Sequence, residues 1–312
     1  MGTPSFAVPS LKALLASRHE VAAVVTQPDR PAGRGLEVRI SPIKAIAGEH
    51  GLRALQPEKI RAPEFLETVR GIAPDALVVA AFGRILPKTI LEAAPLGGVN
   101  VHASLLPRYR GAAPVAWAIA RGERITGVTI MKMAERLDTG DIMLQVSTPI
   151  SPADTGATLE ARLAEMGAPL LIEALNALGE DSIAFLPQDE GKATFAPIIR
   201  KEDGRIDWTM GAVEIERRVR AFDPWPVAFT QARGKMIRIW RSRMEPGGAP
   251  PSRAGIARPG EIRSAGAAGV SVVCGGGSLL TILEVQPEGR RRMSAAEAAG
   301  GRYLAAGELL GS

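Results

Sequence analysis

One cysteine, Cys274, stands among 312 residues, so no disulfide can form within the chain. A reducing compartment is therefore permitted, and the residue reads as a small buried hydrophobe. No stretch reaches the ~20 unbroken apolar residues that a membrane helix needs. The longest uncharged run, Ser264 to Leu283, holds five glycines and is broken at Gly275-Gly276-Gly277. It reads as two strands and a turn. No charged and then apolar leader follows Met1, so a cytoplasmic protein is expected. Three scattered histidines and one cysteine make no zinc site. There is no G-x-S-x-G elbow, which argues against a serine hydrolase even though Ser104 lies close to His102. There is no G-x-x-x-x-G-K-[ST] phosphate loop, and Gly33-Arg34-Gly35 lacks the third glycine and following helix of a dinucleotide fingerprint.

What is present belongs to a globular chain: 46% hydrophobic and 23% charged residues, with mean hydropathy +0.07. The length allows two domains. The net charge of +5 is unevenly spread. Residues 200–312 carry 18 Lys+Arg against 12 Asp+Glu, whereas residues 1–199 carry 20 against 21. A basic module beside a neutral one fits a polyanionic partner, nucleic acid being the usual one, and equally a basic surface without a partner.

From residue 1 to about 180, short apolar runs alternate with amphipathic stretches. The runs are Val21–Val25, Ala76–Ala81, Val99–Val101 and Gly127–Met133; the stretches are Val8–Ser17, Pro42–Glu49, Pro63–Val69 and Leu86–Ala93. This pattern predicts an α/β domain with a parallel sheet covered by helices. A long helix is expected from Thr158 to Leu178, capped by Asp154-Thr155 and stopped by Gly179. Residues 181–201 show no period and read as a linker. In 202–312 the pattern changes to one helix, Val213–Arg220, and five β-type runs: Val227–Gln231, Met236–Arg241, Gly260–Arg263, Val270–Cys274 and Leu279–Val285. A Gly/Pro-rich loop, Pro246 to Gly260, interrupts them, and a small barrel of the oligonucleotide-binding type is one candidate.

The chemistry gathers in Asn100-Val101-His102-Ala103-Ser104-Leu105-Leu106-Pro107. Side chains alternate along a strand, so Asn100 and His102 face the same side. Ligands of open α/β sheets bind beyond the carboxyl ends of the strands. An amide and an imidazole there could polarise a carbonyl and hold the oxyanion that nucleophilic attack creates. A second element, Leu137-Asp138-Thr139-Gly140-Asp141, follows the strand Gly127–Met133. A carboxylate beside His102 would favour the imidazolium and orient it. Taken alone, His102 equally fits a structural histidine and D-T-G is turn chemistry. Spacing leaves acyl transfer and hydrolysis both open. His19 and His50 fall at helix ends and read as surface residues. Trp208 and Trp225 read as core residues, and Arg290-Arg291-Arg292 as either a phosphate contact or a solvated run.

Asn100 to Pro107, continued by Tyr109-Arg110-Gly111-Ala112-Ala113-Pro114 and joined to Leu137–Asp141, resembles the signature of the folate-dependent formyltransferases. Three further segments resemble the branch of that superfamily that formylates initiator methionyl-tRNA. They are Gly2-Thr3-Pro4-Ser5-Phe6-Ala7, Thr26 to Gly35, and Arg220-Ala221-Phe222-Asp223-Pro224-Trp225-Pro226. The resemblance covers nearly the whole chain. It implies a Rossmann-like formyltransferase domain over 1–180 and an OB-like, tRNA-binding domain over 202–312. It implies that Asn100 and His102 bind the formyl oxygen of 10-formyltetrahydrofolate, and that Asp138 tunes His102 and assists proton removal. Ser104, Leu105, Leu106 and Pro107 would line the folate pocket, and Arg34 would enter the acceptor end of the tRNA. A monomer in the bacterial cytoplasm that needs no metal is expected. The alternatives are an amino-sugar formyltransferase, a formyltetrahydrofolate hydrolase, or a non-catalytic RNA-binding protein on the same fold; the Arg34 loop, the basic module and the intact triad argue against them.

The chain departs from the resemblance in one respect. Family members carry a short apolar strand before Gly-Thr-Pro, and here Met1 directly precedes Gly2. That strand would be central, and its loss would leave buried backbone groups unpaired at on the order of 1–3 kcal/mol each. Met1 is thus expected to be an internal methionine of a longer natural chain, which the intact mass of the native protein would settle.

Overall fold

A computed structural model describes residues 1–32, 37–245 and 258–311. The elements of its first part are α1 (Val8–Leu15), β1 (Val24–Val25), β2 (Arg30–Ala32), β3 (Glu37–Arg39), α2 (Pro42–Glu49), β4 (Ala54–Leu55), α3 (Pro63–Ile72), β5 (Leu77–Ala80) and α4 (Lys88–Leu91). There follow β6 (Gly98–His102), β7 (Arg110–Gly111), α5 (Pro114–Ala120), β8 (Ile125–Lys132), β9 (Ile142–Pro149), α6 (Gly156–Gly179) and β10 (Phe195–Ala196). The last part holds α7 (Ala212–Ala221), β11 (Ala228–Ala232), β12 (Lys235–Met244), β13 (Ile262–Gly266), β14 (Gly269–Val273), β15 (Leu279–Pro287), β16 (Met293–Ser294) and α8 (Ala295–Gly300). The chain divides into two compact units.

In the first unit β1 pairs with β4 and β5 with β6, all in parallel. Beyond β6 the sheet continues as β8 and β9, both antiparallel. The β6-to-β8 connection carries β7 and α5 yet returns antiparallel, and β9 follows β8 through residues 133–141 with no helix between them, as doubly wound sheets often allow at one edge. Strand β9, which the sequence reading passed over, alternates half-buried and exposed residues along Leu144 to Thr148 because only one of its faces turns towards the core. Helix starts follow local chemistry. Ser41 accepts from the Lys44 amide at 3.2 Å with Pro42 in the first turn. In α6, Leu159, Leu163 and Leu171 are fully buried on the four-residue repeat of one helix face. A Cβ on Gly167 would come 2.9 Å from Val101 Cγ1, so a glycine lets this helix approach β6 closely.

Met1 and Gly2 run between β1 and β5. The Gly2 amide donates to the Val25 carbonyl at 2.9 Å and the Ala80 amide to the Met1 carbonyl at 3.0 Å. The Met1 amine donates to the Val78 carbonyl at 2.6 Å, and burial pushes that amine down to about 5. Only Gly2 bridges to Ala80 in parallel register. Alongside lies a cavity of about 640 Å³, walled by Ala22, Val24, Ala76, Val78, Leu14 and Leu175. A polypeptide extended before Met1 by four β-branched apolar residues is expected to fill that cavity and pair both edges. Its melting temperature should rise by roughly 5–10 °C, at ~2–4 °C per kcal/mol for a protein of this size. An unchanged or lower melting temperature would show that no strand is accommodated.

The second unit is built on one antiparallel sheet, ordered β11-β12-β15-β14-β13, with β16 on β15. Helix α7 presents Ile215 and Val219 to Ile237, Ile239, Leu280 and Ile282 of the core. Cys274 is fully buried there, and burial pushes its thiol up to about 12. Trp208 is buried and donates to Thr230 at 3.0 Å. Trp225 corrects the expectation of a core residue: it is 58% exposed. It sits in the turn between α7 and β11, where no element directs it inward. Arg292 pairs with Glu284 and stacks over Trp240 at 4.5 Å, and Arg291 pairs with Glu297 at 3.2 Å. Most of the expected loop from Pro246 to Gly260 lies outside the described residues. Among the described residues no helix is long and apolar enough to cross a membrane.

Candidate active site

Strand β6 ends at His102, and its pleat sets Asn100 on the same face, roughly 7 Å back along the strand. Asn100 is half-buried, and its side-chain amide has no hydrogen-bond partner among the described residues. His102 is 6% exposed and Asp138 8% exposed. The His102 Nδ1 atom lies 3.6 Å from Asp138 Oδ2, an ion-pair separation longer than a hydrogen bond. Its Nε2 faces the Tyr109 carbonyl at 3.0 Å. A carbonyl can only accept, so Nε2 carries a proton and Nδ1 is the atom turned to the carboxylate.

Asp138 has φ +53°, a left-handed conformation that Asp tolerates better than most residues. Its Oδ2 accepts the Gly111 amide at 2.8 Å. His102 and Asp138 are thus both held by the tripeptide Tyr109-Arg110-Gly111, one through a carbonyl and the other through an N–H. Tyr109 has φ +62° and Gly111 φ +124°, and a Cβ on Gly111 would come 2.5 Å from the Ala196 carbonyl. That close approach is the β7–β10 pairing.

The segment Ser104-Leu105-Leu106-Pro107 leaves the end of β6 and reaches Pro107 through a cis peptide bond. Ser104 is buried and its hydroxyl donates to the Arg108 carbonyl at 2.6 Å. Thr129 of β8 donates to the Ser104 carbonyl at 2.6 Å and accepts the Leu106 amide at 3.1 Å. Gln145 of β9 donates to the Leu106 carbonyl at 2.9 Å. Leu106 is buried, whereas Leu105 and Pro107 are half-exposed. The loop therefore offers half-exposed apolar walls on a rigid backbone beside an unpartnered amide, a donor set that suits an apolar ligand carrying a carbonyl. Arg34 lies outside the described residues. The strands flanking its loop, β2 and β3, pair with each other, and just before them Asp29 accepts from Lys44 and Gln56. Those bonds, Lys44 first, hold the Asp29 carboxyl below the usual carboxylate range.

Thr129, Gln145 and Gln188 escaped the sequence reading, and the last is the most consequential. The stretch 181–201, expected as a linker, carries Gln188 and β10, and residues up to Pro197 fold with the first unit. Gln188 donates to the Asp138 carbonyl at 2.9 Å and the Gly140 carbonyl at 2.7 Å. The signal available was negative: some twenty residues without a period, inside a compact domain, more often serve a site than a tether.

A family model described as formyl transferase matches residues 1–175, and one described as formyl transferase, C-terminal domain, matches 198–303. The chain is 47% identical to a methionyl-tRNA formyltransferase of Solibacter usitatus, over 100% of this chain and 97% of that one. To the methionyl-tRNA formyltransferase of Geobacillus thermodenitrificans it is 49% identical, over 100% and 96%. Among solved structures, an N-formyltransferase from Helicobacter canadensis in complex with folinic acid and dTDP-3-aminofucose superposes with TM-score 0.64 at 17% identity, covering 92% of this chain and 97% of that one. A methionyl-tRNA formyltransferase from Clostridium thermocellum gives 0.50 at 20% identity, covering 65% and 87%. By full-length identity and by both domain matches, the chain belongs to the formyl transferase family, in its methionyl-tRNA formyltransferase branch.

Proposed function

We propose that this protein transfers the formyl group of 10-formyltetrahydrofolate to the free α-amine of initiator methionyl-tRNA, with Asn100, His102 and Asp138 as its catalytic residues. The observation that carries the reading is the buried His102–Asp138 pair, 3.6 Å apart at the end of β6, on the strand that carries the Asn100 amide, which has no hydrogen-bond partner among the described residues. The amine attacks the formyl carbon, and a C–N bond forms as the carbonyl electron pair moves onto oxygen. Asn100 donates to that oxygen, and so does His102 once its Nε2 N–H swings from the Tyr109 carbonyl onto it. Asp138 orients the imidazole and helps carry the proton that the amine loses towards the folate nitrogen, which leaves with the electron pair of the broken C–N bond. Ser104 to Pro107 hold the folate, and Arg34 engages the tRNA acceptor end, since a guanidinium pairs with phosphates or stacks on unpaired bases. The basic second unit supplies further backbone contact. The reading includes a monomer working in the bacterial cytoplasm.

The names of the relatives and the folinic acid bound by the Helicobacter canadensis enzyme support the choice of donor and acceptor. In one assay the protein is given 10-formyltetrahydrofolate with charged initiator tRNA, with an amino sugar, or with water alone. Formyl-methionyl-tRNA should appear with the tRNA, and the other two mixtures should leave the donor intact. Consumption of donor in water would point to a hydrolase, and no consumption in any mixture to a non-catalytic RNA-binding protein.

A further inference from the structure

Arg110 is a fully buried cation whose guanidinium is taken up by Gln188 and Glu190. Its side chain is 2% exposed, and it donates to Gln188 Oε1 from Nε at 3.0 Å and from a terminal nitrogen at 2.9 Å. Two further donors reach Glu190 at 2.9 and 3.0 Å. Glu190 is 60% exposed, and its bonds to Arg110 hold its carboxyl below the usual carboxylate range. A buried guanidinium needs such partners, because an unpaired one would be costly. Its effect on Gln188 is directional. With Oε1 saturated by Arg110, the Gln188 amide nitrogen is forced outward, and both its protons go to the carbonyls of Asp138 and Gly140. The backbone around Asp138 is thus clamped from both ends of the turn, while Gly111, the neighbour of Arg110, holds the carboxylate itself.

We infer that Gln188, oriented by Arg110, is a positioning residue that sets the separation between Asp138 and His102. The inference rests on the catalytic roles proposed for those two residues. A misplacement of ~1 Å at a reacting group can cost about a hundredfold in rate, and Gln188 donates directly to the Asp138 carbonyl.

Gln188→Glu separates positioning from mere support. The new carboxylate still accepts from Arg110, so the guanidinium stays paired, but it cannot donate to either carbonyl. Two carbonyls lose their donor and face a carboxylate oxygen instead, so the variant's melting temperature should fall by several degrees, and its kinetics are read well below that transition. Its kcat should fall by roughly 10- to 100-fold, with KM for donor and tRNA within twofold. In a double-mutant cycle with Asp138→Asn, Gln188→Glu should cost little further residual activity, because the two act through one group. A parental kcat, an effect on KM alone, or full additivity in the cycle would overturn the inference. If Gln188→Glu does not fold, Gln188→Met, which keeps the length and removes both donors, is put through the same cycle with the same outcomes. Should Asp138→Asn itself turn over normally, the catalytic reading falls and this inference with it. Should Asp138→Asn be impaired while Gln188→Glu is normal, only the positioning role falls.

Discussion

Asp138→Asn should lower kcat by on the order of 10²–10³-fold while leaving the binding of charged tRNA within about twofold, a loss in the range that general acid–base groups and oxyanion donors contribute. The substitution is well suited to the geometry. An amide oxygen can still accept the Gly111 N–H that the carboxylate accepts at 2.8 Å, so the turn keeps its shape while the charge facing His102 Nδ1 disappears. His102→Ala is expected to lose at least as much turnover. It also removes the Nε2 contact to the Tyr109 carbonyl, so thermal unfolding must be followed beside activity. Near-normal kcat in Asp138→Asn, or in a folded His102→Ala, would remove these residues from the mechanism. Weakened tRNA binding with unchanged kcat would place them in recognition instead.

Gly140→Ala should damage both stability and activity. A Cβ at Gly140 would lie 1.9 Å from the Lys132 carbonyl oxygen and 2.9 Å from its carbon, and both are backbone atoms of β8 that cannot swing aside. The turn would have to move off the strand, stretching the Lys132 N–H to Asp141 carbonyl bond of 2.9 Å and the Gln188 bond to the Gly140 carbonyl. Forced overpacking of this kind costs about 2–3 kcal/mol, or a fall in melting temperature of roughly 5–10 °C. Asp138 lies two residues away, so kcat should fall at least about tenfold as its carboxylate shifts. Calorimetry and steady-state kinetics on one preparation check both. A variant with parental melting temperature and kcat would mean that the turn has room that the backbone geometry denies. The glycine of D-T-G is thus needed for close approach: its φ is not in the left-handed region, whereas that of Asp138 is.

Much of this was legible in the chain. Helix α2 was read to the residue, from Pro42 to Glu49, because a Ser-Pro start is local chemistry. Strands β5, β6 and β8 were found within a few residues, since each is a short apolar run. Strand β9 was missed because its alternation is half polar. Trp225 was misplaced because residue type predicts burial only on average, and a turn exposes what it carries. The stretch around Gln188 was read as a tether because its order comes from partners 48 to 80 residues away, and such bonds leave no period behind them.

The amino acids alone named the chemistry: Asn100 and His102 share a face because strand side chains alternate, and the S-L-L-P and D-T-G-D segments identified the family. Only the tertiary structure decided how that chemistry is held. It brought Asp138 to His102, passed both through Tyr109-Arg110-Gly111, and turned Gln188 onto the Asp138 turn with a buried arginine. Residue types are local and set what a site can do. Hydrogen bonds between distant segments set distances, and these exist only once the backbone has packed.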